Sequence, residues 1–195
     1  MTKAVKNING KVNLWGRILS WSGWTPLYPE TFHAKSVICV APHTSNWDFI
    51  IGYLYYKAWG AKLTPRFLIK KEWFVFPFNF IFKALGGLPV DRKLGGSTVD
   101  QAIDLLKKAK SLHLGITPEG TRKRREHWKT GFYRIAKGAG VPIELAKIDY
   151  KNKVVGVFHT IQTFGDNIEE RVQDIRRYYH SSMAKKPKNF ADINQ

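Results

Sequence analysis

Apolar residues in this chain come as short runs and helical stripes in alternation. Residues 36–41, Ser-Val-Ile-Cys-Val-Ala, form a continuous apolar run, the pattern of a strand covered on both faces. Residues 46–59 follow as a helix, with Phe49, Ile50, Tyr53, Leu54 and Tyr56 as its apolar positions. Further strands are predicted over 66–70, 88–90, 112–117, 142–148 and 153–159, and further helices over 72–84, 97–110, 131–137 and 168–183. Ser97 opens one of these helices, and Val99, Ile103, Leu105 and Leu106 fall on its inward side. Such alternation predicts an α/β fold, a single domain with a mostly parallel sheet flanked by helices.

The ends differ from this pattern. Residues 11–24 carry Leu14, Trp15, Ile18, Leu19 and Trp21 towards one side, and Asn13, Arg17, Ser20 and Ser22 towards the other. This amphipathic helix has two readings, a lipid-boundary element rich in Trp or a terminal helix docked on the core. The division expected is an N-terminal, membrane-associating segment over 1–25, a domain over 26–184 and a polar tail over 185–195, the tail loose.

Composition narrows the partners rather than the fold. The 195 residues hold 32 Lys and Arg against 15 Asp and Glu, a formal charge of +17. That excess points to nucleic acid, anionic lipid or phosphorylated substrates. The single cysteine, Cys39, lies in an apolar strand, so no disulfide framework exists and a reducing compartment is expected. No run approaches 18 apolar residues, and the N-terminus lacks a small-residue cleavage site, so neither a spanning helix nor a secretory signal is expected. The histidines show no metal spacing such as His-Glu-x-x-His, and no metal is expected.

Candidate chemistry begins where the first long strand ends. His43 precedes Asp48 by five residues in His43-Thr44-Ser45-Asn46-Trp47-Asp48. A histidine titrates near neutral pH and takes a proton from an alcohol, and a carboxylate on its far nitrogen fixes the tautomer. In one regular helix five residues turn the side chain by about 140°, so His43 is placed in a loop and Asp48 in the first helical turn. A capping carboxylate beside a packed histidine has the same spacing. Thr44 and Ser45 read as capping hydroxyls, and no Gly-x-Ser-x-Gly elbow occurs.

A second block follows a later strand, Glu119-Gly120-Thr121-Arg122. With His43-x4-Asp48, with Gly86-Gly87-Leu88-Pro89-Val90-Asp91-Arg92 between them and Gly140-Val141-Pro142-Ile143 after them, the chain resembles the lysophosphatidic acid acyltransferase family of glycerolipid acyltransferases. The resemblance covers roughly residues 36 to 148. It implies that His43 deprotonates an acceptor hydroxyl with Asp48 as its orienting partner, and that no acyl-enzyme forms. Glu119, Gly120, Thr121 and Arg122 are implied to bind the acceptor's phosphate, with Arg92 and Lys71 as further phosphate ligands. Glu119 is the exception in charge, and its expected role is to tether Arg122 or a neighbouring loop. The chain departs from the family pattern at Pro42, at Asp91 and at Glu144-Leu145-Ala146.

The implied reaction moves a fatty acyl group from acyl-CoA or acyl carrier protein to a lysolipid hydroxyl, 1-acylglycerol-3-phosphate foremost, in phospholipid biosynthesis. No cofactor is expected. The expected place is the cytoplasmic face of an anionic membrane, held peripherally. The basic run Arg122 to Lys129, which carries Trp128, reads as facing anionic headgroups or the phosphates of an acyl donor. Two rivals stay open: a nucleic-acid-binding module resting on the charge and on residues 121–129, and a thioesterase using the same base on water. The first leaves His43 and Asp48 without a purpose, and no nucleic acid is expected.

Overall fold

The computed structural model describes residues 13–29, 31–60, 65–73, 75–76, 78–90 and 97–193. Seven strands lie among them: β1 (Thr25–Leu27), β2 (Lys35–Ala41), β3 (Phe67–Lys70), β4 (Gly87–Val90), β5 (Leu112–Ile116), β6 (Ile143–Asp149) and β7 (Val154–Ile161). The helices are α1 (Leu14–Trp21), α2 (Trp47–Trp59), α3 (Phe78–Ala84), α4 (Thr98–Lys108), α5 (Gly131–Ala139) and α6 (Ile168–Arg176). Five strands form one sheet in the order β1-β7-β6-β2-β5. All its pairings are parallel except β6 with β7. β3 and β4 pair in parallel beside it, and Arg66 stitches them to β5 through Arg66 N–H to His113 O at 2.8 Å and Gly115 N–H to Arg66 O at 2.7 Å. The mostly parallel α/β domain is as expected.

Side chains alternate along β2 and so build two layers. Val37 and Cys39 face one side, where Leu106 of α4, Phe132 and Ala136 of α5, and Val172 and Ile175 of α6 cover them. Ile38 faces the other with Ala146 and Val157. On that side Ile51, Tyr55 and Ala58 of α2 pack with Leu19 and Trp24.

Several boundaries and faces differ from expectation. In α2 the buried apolar positions are Ile51, Tyr55, Ala58 and Trp59, while Phe49 and Ile50 are about 40% exposed (40% and 42%). That helix is apolar nearly all round, so periodicity does not select a face. Leu105 of α4 is likewise exposed, although Ser97 opens that helix as expected, in a reciprocal cap with Asp100. The predicted helix 72–84 is a 3₁₀ turn, Lys71–Trp73, followed by α3. The sequence carries Pro77 just before α3, and a proline disfavours the helical region in the residue ahead of it. The closing helix stops at Arg176 rather than 183, and Tyr179 turns inward, donating to Cys39 O at 3.1 Å and Ala146 O at 3.3 Å.

The carboxyl end is more ordered than expected, and the amino-terminal helix takes its docked form. The tail from Lys185 is not loose: Phe190 and Ala191 are buried, and Asp192 accepts from Ser181 N–H and Oγ–H at 2.6 Å each. At the other end α1 docks on α2 with Leu19 fully buried, yet Trp21 is 91% and Leu14 65% exposed. Asn13 joins the two helices. Its Oδ1 caps α1 at Gly16 N–H (2.8 Å), and its Nδ2 donates to Lys57 O and Ala58 O at the end of α2 (2.9 and 3.2 Å). No described helix is long and apolar enough to cross a membrane.

Candidate active site

β2 and β5 are parallel neighbours in the register Lys35↔Leu112 to Cys39↔Ile116. Their carboxyl ends therefore lie side by side, and the loops that leave them must meet. One loop carries His43 and the other Glu119.

His43 and Asp48 meet as the spacing predicts. His43 Nδ1 lies 3.2 Å from Asp48 Oδ2, with the His43 side chain 22% exposed and that of Asp48 2%. The contact assigns the proton to Nδ1 and leaves Nε2 as the basic nitrogen. Thr44 N–H and Ser45 N–H also donate to Asp48 Oδ2, both at 2.8 Å. Tyr150 Oη–H donates to Oδ1 at 2.9 Å. Burial alone pushes this carboxyl up, but the bonds from His43, Ser45, Tyr150 and Thr44 outweigh it and hold Asp48 below the usual carboxylate range. Asp48 is thus an anion fastened from four sides, one of them the imidazole. The hydroxyls of Thr44 and Ser45 have structural partners: Lys186 N–H donates to Thr44 Oγ1 at 3.2 Å, and Trp47 N–H to Ser45 Oγ at 3.2 Å.

Glu119 does not tether Arg122. Both its oxygens accept the backbone N–H of His43 at 3.0 Å, so the neighbouring loop it holds is the one bearing the histidine. Burial pushes the Glu119 carboxyl up to about 7, against the lowering effects of the His43 N–H and ring and of Arg176. Gly120 follows at φ +64°, closing a turn by Gly120 N–H to Thr117 O (3.1 Å). Lys129 crosses it closely: a Cβ on Gly120 would lie 2.9 Å from Lys129 Cε and 3.0 Å from Nζ. Glycine is required there by conformation, and Lys129 places an ammonium at the turn that carries Thr121 and Arg122.

Thr121 is half-buried and Arg122 exposed. Arg122 is anchored by its backbone, whose carbonyl accepts from Asn189 Nδ2 at 3.0 Å. Lys71 lies exposed in the 3₁₀ turn after β3. Arg92 lies outside the described residues, as does residue 91 before it. The basic run loses its aromatic: Trp128 is buried, its ring 5.5 Å from that of Tyr179 and 6.3 Å from that of Phe190. It is therefore not displayed for stacking on a base. Glu144, where the chain departs from the family pattern, is a buried acceptor for Ser36 Oγ–H at 3.0 Å within β6. Among the described residues no group of three His, Cys, Asp or Glu stands at metal-binding distance.

Sequence reasoning missed Tyr150, the crossing of Gly120 by Lys129, and the tail residues that reach the site. Tyr150 stands 102 positions from Asp48 in no motif, and only the sheet brings it near. A family model described as Acyltransferase matches residues 27–144, more than half of the chain. No curated protein matches it.

Proposed function

The chain belongs to the acyltransferase family, and we propose that it moves a fatty acyl group from a thioester donor, acyl-CoA or acyl carrier protein, to the hydroxyl of a lysolipid. The observation that carries this reading is the His43–Asp48 pair, with Nδ1 committed to the carboxylate and Nε2 left basic. In the proposed step Nε2 takes the acceptor's hydroxyl proton as the oxygen attacks the thioester carbonyl. The tetrahedral intermediate then collapses, the C–S bond breaks, and the imidazolium returns that proton to the departing thiolate. Asp48, kept anionic by its other three donors, stabilises the imidazolium while it lasts. No covalent enzyme intermediate is needed.

The proposed acceptor is 1-acylglycerol-3-phosphate. Arg122 offers its phosphate a planar fork, and Lys129 adds charge at the same turn; Lys71 and Arg92 are assigned to the phosphate by the family resemblance alone. Glu119 sets the height of the His43 loop and does not touch the phosphate. A lysolipid resides in a bilayer, and the exposed Trp21, Phe76 and Phe80 (91%, 81% and 64%) supply apolar contact there. The net charge of +17 favours an anionic surface, with the protein bound peripherally at the cytoplasmic face.

The test is to incubate purified protein with acyl-CoA or acyl-acyl carrier protein and a panel of lysolipids, and to identify products by mass spectrometry. Diacylglycerol phosphate as the main product is the expected result. Free fatty acid as the sole product would replace the reading with thioester hydrolysis.

A further inference from the structure

Residues 181–193 lie beyond the stretch that the family model matches, which ends at residue 144, yet they run directly past the His43 site. Tyr150 N–H donates to Met183 O at 2.9 Å, Lys186 N–H to Thr44 Oγ1 at 3.2 Å and Asn189 Nδ2 to Arg122 O at 3.0 Å. Three residues of extended chain span about 10 Å at most, so this strap ties the histidine loop to the arginine loop over a short distance. The buried Arg176 fastens it from behind, donating to Ala191 O at 2.5 Å and to Glu126 O.

Lys185 is the strap's charged contribution to the site. Its ammonium lies 4.7 Å from the ring centre of Trp47 and 5.5 Å from that of Tyr150. Trp47 adjoins Asp48 in sequence, and Tyr150 bonds to Asp48. Two rings, one bonded to Asp48 and one next to it in sequence, thus fix where this cation sits. Among the described residues no carboxylate lies within ion-pair distance of it. Ring faces attract an ammonium and leave its charge intact. Next to His43 stand the Asp48 carboxylate and the Glu119 carboxyl, so an anionic ligand approaches more readily beside a cation. Arg122, held at the far end of the same strap, is one.

We propose that Lys185 is a further phosphate-binding residue of this site, pinned by Trp47 and Tyr150 and taking a phosphate ester. The proposal rests on the reading that the His43 site accepts a phosphorylated lipid, and it extends that reading to a cation outside the family-matched region. The phosphate belongs either to the acceptor itself or to a bilayer lipid beside it.

Two binding arms distinguish these sources without turnover. Calorimetry with glycerol 3-phosphate, and with glycerol as the control, tests the acceptor phosphate. Co-sedimentation with phosphatidylglycerol vesicles tests the bilayer phosphate. In the full chain Lys185→Met is expected to weaken one of these by roughly tenfold, about the worth of one charge-assisted hydrogen bond. Lys185→Arg is expected to recover most of it. An unchanged circular dichroism spectrum of Lys185→Met separates this loss from unfolding. Wild-type binding by Lys185→Met in both arms, or absence of glycerol 3-phosphate and vesicle binding in the wild type, overturns the proposal. If acyl transfer itself proves absent while Lys185-dependent phosphate binding persists, the functional reading fails and this one stands.

Discussion

Glu119 holds His43 by its backbone, not by its ring: both carboxylate oxygens lie 3.0 Å from the His43 amide nitrogen. A residue that the motif places among the phosphate ligands therefore sets the position of the base. Its carboxyl, pushed by burial up to about 7, binds a proton in the folded protein that it has released in the unfolded chain. Stability is then greatest below the ordinary carboxyl value and falls as pH rises from about 4.5 through about 7. Glu119→Gln keeps an acceptor for the His43 N–H without the charge. Thermal melts from pH 4 to 8 should show that decline in the wild type and a flatter profile in Glu119→Gln. Equal profiles would remove Glu119 as the source.

His43→Ala should lower acyl transfer by roughly 10²–10⁴-fold, the usual worth of a general base. The side chain's partial exposure predicts a fold that persists, checked by circular dichroism and melting temperature. A folded variant with wild-type turnover would take the base elsewhere.

Tyr150→Phe deletes one of the bonds that keep the Asp48 carboxyl low. A depressed carboxyl contributes stability above its unfolded value and loses it as pH falls through the folded one. The variant should therefore be less stable than wild type at pH 7, by about 1 kcal/mol for one hydrogen bond. The gap should narrow on acidification, measured by urea titration at pH 7 and at pH 3. A gap that grows in acid would contradict the assignment.

Arg122→Lys keeps the charge and loses the fork. KM for a phosphorylated acceptor should rise while a phosphate-free acceptor is used as before. A loss that is the same for both acceptors would make Arg122 a support for its loop.

Trp21→Ser should reduce binding to neutral vesicles, where salt screens nothing, and spare most of the attraction to anionic vesicles at low salt. Co-sedimentation across a salt series reads both parts. A protein that ignores vesicles and shifts RNA at physiological salt would reverse the assignment of the basic surface.

The sequence made the strand-helix alternation and the His43–Asp48 pairing legible, because each depends on neighbours within a few positions. The Ser97 cap was legible for the same reason. What was not legible depends on distant chain. Glu119 finds His43 only because β2 and β5 are adjacent and in register, and Tyr150 finds Asp48 by way of β6. Trp128 looks like a recognition side chain within its basic run, and only its packing against Tyr179 and Phe190 shows otherwise. In α2, apolar residues on every face concealed which of them point inward. The polar tail disguised a buried Phe190 and Ala191 among lysines.

The Asn13 side chain closes the start of α1 with one atom and the end of α2 with another. Lifting α1 away from the body would leave its own cap in place, since that bond is local, but would strip Lys57 O and Ala58 O at the end of α2 of their donor and draw Leu19 out of its socket. The two helices therefore meet any surface as one rigid plate, with Trp21 projecting from it like a rivet. Contact with lipid would press this plate down whole rather than unfurl its first helix into the membrane.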